Sequence, residues 1–198
     1  TDTKTSDPGF IYNRMMTFDP VTQQWANIGN AGNFVSTWFS TYDPVTDTII
    51  RFDSSSGRAK AGIYNITTNS WNYIELGKNV LGRDIKITHY TAFDEISRTI
   101  YAVDGDEGRL HRYNIDAKKL EDLGPVPGGA LPNGEQAIDL VWDSVSHVLL
   151  WHRNVINGFF AYHPESQTWQ SLSTLSDVPK IQATGRTMVF APRENDER

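Results

Sequence analysis

Polar and apolar positions alternate along most of this chain in short runs, and the runs recur. Apolar or β-branched stretches such as Thr48-Ile-Ile-Arg-Phe52, Thr99-Ile-Tyr-Ala-Val103 and Val148-Leu-Leu-Trp151 each follow an aromatic residue, an acidic one and a polar turn. The leads are Tyr42-Asp43, Phe93-Asp94 and Trp142-Asp143, with the aromatics 51 and 49 residues apart. A second series reads FDPVTQQW from Phe18 to Trp25, YNITTNSW from Tyr64 to Trp71, YNIDAKKL from Tyr113 to Leu120 and YHPESQTW from Tyr162 to Trp169. Its lead aromatics are spaced by 46, 49 and 49 residues. Asp, Asn, Pro, Ser and Thr favour turns because they fix φ or bond nearby backbone. The flanking β-branched and aromatic residues favour strands. Each period therefore predicts two hairpins, hence four strands.

A fixed period near 50 residues is a repeat signature. Three whole repeats are predicted, over about 34–76, 85–123 and 135–172. The strands of the first are expected near 35–42, 47–53, 59–65 and 70–76. A partial repeat at 10–28 matches only third and fourth strands, and another at 183–190 matches only a first strand. A single four-stranded sheet buries neither face well, but sheets stacked around an axis bury each face against a neighbour. The expectation is an all-β fold, a β-propeller of antiparallel four-stranded blades in one domain over 1–198. About four blades fit this length, either as a small closed ring or as part of a larger propeller. The recurring aromatics are then wedges between blades.

The aromatic–turn–Trp spacing, present as Phe18–Trp25, Tyr64–Trp71 and Tyr162–Trp169, resembles the kelch repeat family. Leu120 replaces Trp in the remaining copy. The adjacent Gly pair usual in that family after the second strand is missing: 53–58 and 153–158 hold one Gly each, and 104–109 holds two that are not adjacent, Gly105 and Gly108. The resemblance implies a binding module that presents loops to a protein or glycan partner.

Composition narrows the classes further. Six Trp and 12% aromatic residues suit short strands packed through large rings. A net charge of −6 argues against a dominant nucleic-acid role. No run of 18 apolar residues marks a membrane span. The absence of cysteine excludes disulfides, thiolate metal sites and a Cys nucleophile. It also excludes the Tyr–Cys cofactor of the copper radical oxidases among kelch-like propellers. No leader-like segment heads the sequence, which leaves the compartment open. Abundant Asn, Thr, Ser and Trp lean towards a secreted or cell-surface protein, where the sequon Asn65-Ile-Thr67 is a glycosylation candidate.

Binding residues are expected on the face that gathers the second-to-third-strand loops and the long interblade loops, of which 124–134 is the longest. Arg58, Arg83, Arg109 and Arg153 recur there, suited to bidentate bonds with an acidic peptide or an anionic sugar. Asp84, Asp104, Asp106 and Glu107 lie among them, which also fits a mixed solvated rim. Asp104-Gly-Asp106-Glu-Gly108 begins like a calcium loop. Its twelfth position is Ile115 rather than Glu, so a tight turn is expected instead. No histidine spacing marks a metal site, and no cofactor is expected. A second reading is a polysaccharide hydrolase or lyase with His89, Asp139 and Arg186 meeting in an axial channel. A third is a structural segment whose open faces self-associate or are completed by another chain.

Overall fold

A computed structural model of the chain describes residues 14–30, 40–53, 60–78, 82, 87–131, 138–153, 156 and 158–172. Fourteen strands and no helix lie among them. The first two, β1 (Arg14–Asp19) and β2 (Gln24–Asn30), form a hairpin. The first full sheet runs β3 (Ser40–Asp43), β4 (Thr48–Asp53), β5 (Lys60–Asn65) and β6 (Ser70–Glu75). The second runs β7 (Ile87–Asp94), β8 (Thr99–Asp104), β9 (Arg109–Asn114) and β10 (Lys119–Pro125). The third runs β11 (Ile138–Asp143), β12 (Val148–Arg153), β13 (Gly158–His163) and β14 (Thr168–Ser171). In all three the strands pair antiparallel in chain order. These are four-stranded antiparallel blades, the all-β propeller architecture expected from the repeats. The partial repeat expected at 183–190 lies outside the described residues.

One turn design closes seven of the hairpins. An Asp, Asn or His ends the first strand, four residues turn, and the last of them has positive φ: Gln23, Asp47, Asn69, Arg98, Lys118, His147 and Gln167, all between 50° and 56°. Asp19, Asp43, Asn65, Asp94, Asn114 and Asp143 each accept a backbone N–H two or three residues on, which holds the turn in place. All seven turns join first to second or third to fourth strands, so they gather at one end of the blades. Among the described residues, the other end carries the 105–108 turn between β8 and β9 and the segment 126–131 that follows β10.

The blades meet through apolar faces. Between the first and second lie Ile50, Ala61, Leu76, Ile100, Ala102, Tyr113 and Ile115. Between the second and third lie Tyr101, Val103, Leu110, Leu140, Leu149, Trp151 and Tyr162. Tyr64, Tyr113 and Tyr162 are all fully buried, and Tyr113 and Tyr162 lie in the two interblade cores as wedges. Each faces its cross-strand partner, Trp71, Leu120 or Trp169. Burial removes the phenols from water, which pushes the Tyr113 hydroxyl up to about 12.

An ion pair crosses the first junction at the turn end. The Arg98 guanidinium donates to the Asp43 carboxylate at 2.8 Å and also meets Asp116 at 3.2 Å. The Asp43 side chain has no solvent exposure. Arg98 sits in the β7–β8 turn and Asp43 ends β3, so the pair bolts two blades together.

Candidate functional site

The opposite end of the second and third blades carries a built loop. After β10 the chain runs through 126–131 and folds back over the 105–108 turn. The Val126 N–H donates to the Gly108 carbonyl at 2.8 Å, and the Leu131 N–H to the Gly105 carbonyl at 2.8 Å. Gly108 needs its lack of side chain twice over. Its φ is +61°, and a Cβ there would lie 2.1 Å from the Gly129 carbonyl carbon. The turn itself is held by the Gly108 N–H on the Asp104 carbonyl and by the Asp106 N–H on the Asp104 carboxylate.

From the third blade, Arg153 reaches into the same loop. Its Nη1 donates to the Gly129 carbonyl at 2.9 Å and the Pro127 carbonyl at 3.4 Å, and Nη2 donates to the Ala130 carbonyl at 2.9 Å. Gly128 lets the loop approach: an added Cβ would stand 2.4 Å from Nη1. Arg153 is buried and works inward, tying loop to blade. Arg109, at the start of β9, is partly exposed and donates from Nε to Asp122 at 2.8 Å. Burial alone would raise the Asp122 acid, but Arg109 and the Gly124 N–H outweigh it and hold it below the usual carboxylate range.

The other expected site residues are placed unequally. Arg58, Arg83 and Arg186 lie outside the described residues. His89 is on β7 and Asp139 on β11, and these two inner strands run side by side. Asp139 is half-buried opposite His152. Asn65 ends β5 beside an exposed turn, its Oδ1 accepting from the Thr68 N–H at 2.7 Å and hydroxyl at 2.9 Å. Among the described residues no cluster of three or more His, Asp or Glu side chains is arranged to hold a metal ion.

One buried group escapes the sequence reading. His111 on β9 lies opposite Ala102 on one side and Asp122 on the other. It is 1% exposed, and neither ring nitrogen has a hydrogen-bond partner. Burial lowers its pKa, with Asp122 and Asp104 pulling the other way and Arg109 adding to the lowering. Repeat alignment carries the signal, since the matching positions are Gly62 and Phe160 and only the second blade is polar there.

A pH dependence follows from that burial. The folded state binds the His111 proton less readily than the unfolded chain. The contribution is therefore intact above the unfolded value near 6.5 and is lost as pH falls through it. The unfolding free energy read from urea titrations should fall between pH 7.5 and pH 5, by up to about 1.4 kcal/mol per pH unit for one proton. In His111→Phe, which copies Phe160, the slope from this group should vanish. An unchanged slope would show that other groups set it.

No family model matches the chain, and no curated protein matches it. Solved structures do. A chain of the nidogen/laminin complex aligns with a TM-score of 0.56 at 17% identity, over 80% of this chain and 54% of that one. An auxiliary nutrient binding protein from Bacteroides ovatus aligns at 0.54 and 12%, over 83% and 39%. TolB from Acinetobacter baumannii aligns at 0.54 and 7%, over 80% and 37%. The shared feature is the β-propeller fold of four-stranded blades. This chain spans between about a third and just over half the length of these structures.

Proposed function

We propose that the chain is a binding module of a divergent kelch-like propeller, taking an anionic glycan or an acidic protein segment on its loop face. The observation that carries this reading is the way 126–131 is fixed, by two hydrogen bonds to the 105–108 turn and three from Arg153. A loop already held in place has little entropy to lose on binding. Arg109 stands partly exposed beside it, and Arg58 and Arg83 extend the same basic series in sequence. Two of the similar structures belong to proteins whose names speak of a complex or of nutrient binding, in keeping with such a role.

The test is an array of sulfated and uronic-acid glycans together with acidic peptides, read for binding and for turnover. Arg109→Ala should weaken the best binder about ten-fold, the loss of one charge-assisted contact. Lys119→Ala, near the turn end, should leave it unchanged. Equal affinity of both variants overturns the site assignment. Turnover abolished by His89→Ala would favour the polysaccharide-acting enzyme, which rests on the adjacency of β7 and β11. In a secretory host, attachment of a glycan at Asn65 would show that the Asn65-Ile-Thr67 sequon is accessible in the folded chain.

A further inference from the structure

The two junctions differ along one equivalent row. In the third blade that row holds Leu140 in the core of the second junction, with Phe160 packed against it. The matching places in the second blade are Thr91 and His111, on either side of Ala102 across the strands. Alternation along β9 puts His111 on the same side as Tyr113, facing the first blade. The Thr91 hydroxyl is buried without a hydrogen-bond partner, as are both His111 nitrogens. A row that is hydrocarbon in one junction is thus polar and unsatisfied in the other.

The surroundings of the ring decide what a proton does there. Within its own blade the charged neighbours are Asp104 on β8, Arg109 on β9 and Asp122 on β10. Asp122 is already taken by Arg109 at 2.8 Å. One Asp104 oxygen is buried and unpartnered, which offers some compensation, but burial outweighs it. Across the junction the first blade presents Ile50, Ala61, Ile63 and Ile74, and its Lys60–Glu75 pair lies on the opposite face. Asp43 also faces the second blade, but at the turn end and bound to Arg98. An imidazolium at His111 would therefore stand almost without water against an apolar wall. The second junction is built differently. His147, beside Trp142, is exposed in its turn and keeps its water when charged. His152 points away from that junction, towards Phe159.

We propose that acid opens the first junction ahead of the second, because a proton on His111 separates the first blade from the other two. Uncovered on that face, β3–β6 lose their order, while the second and third blades stay packed through Tyr101, Trp151 and Tyr162. The device needs no ligand and does not rest on the binding reading.

Hydrogen exchange of the 198-residue chain tests it, followed by mass spectrometry from pH 7.5 to pH 5 and corrected for the intrinsic exchange rate. Opening of β4 and β5 relative to β12 and β13 should grow by up to about ten-fold per pH unit below about 6.5. His111→Gln, which stays neutral, and His111→Phe, which copies Phe160, should abolish that growth. Acid weakening that is equal in the first and third blades overturns the proposal, as does slower exchange of β4 and β5 in acid, which would mean that Asp104 captures the charged ring. A gradient that persists in His111→Gln overturns it too.

Discussion

Gly108→Ala should unfold this protein more readily than any other single methyl addition at a described glycine. Ala at a φ of +61° costs about 1 kcal/mol by itself. The larger part is steric. The new Cβ would meet the Gly129 carbonyl carbon at 2.1 Å and the Ala130 nitrogen at 2.3 Å, and backbone does not swing aside as a side-chain tip does. Loop 126–131 must then lift, breaking the Val126 and Leu131 hydrogen bonds and leaving the Arg153 guanidinium buried without its carbonyls. We expect a loss of about 3 kcal/mol or more in urea unfolding. Gly124→Ala, also at positive φ but with open space around it, is the control and should cost only about 1 kcal/mol. Comparable losses in the two would mean that the loop yields freely, and the pre-formed platform invoked for binding would go with it.

Arg98→Ala is the second large effect. Asp43 would keep the Thr46 hydroxyl and the Val45 N–H but lose the cation across the junction. A carboxylate without solvent and without its partner costs about 3–5 kcal/mol when the pair is broken from one side. Adding Asp43→Asn to Arg98→Ala removes the stranded charge and should recover part of that loss. If the single and double variants unfold at the same urea concentration, Asp43 is not stranded and the pair matters little to the junction.

The blades could be read from the sequence because their signals are local. An aromatic, an Asp or Asn and a polar turn specify a hairpin without reference to anything distant, and the period does the rest. Tyr64, Tyr113 and Tyr162 were legible as wedges for the same reason. The turn residues were legible in kind but not in conformation. Asp47 and Asn69 belong to types that adopt positive φ readily, whereas Gln23, Arg98, Lys118 and Gln167 do not, and only the geometry of the hairpin places them there. Arg98 reads as one more surface cation because its partner, Asp43, lies a whole repeat away. Arg153 shows the same limit. Its recurrence with Arg58 and Arg109 suggests a shared outward role, yet its position beneath 126–131 turns it onto backbone carbonyls. Sequence periodicity reports which residues are equivalent along the strand, and it is blind to what the neighbouring loop does above them.

Because every described strand pairs with its immediate successor or predecessor within a sheet, the assembly of this chain is a matter of short-range events. A hairpin closed by four residues can form without waiting for distant segments, and each finished blade offers a template to the next. Folding can then begin in any of the three blades and spread outwards along the row, with the Arg98–Asp43 bond and the Arg153 clasp made late, as neighbours lock. A β protein of this size is in that respect closer to a row of dominoes than to a knot of long-range pairings.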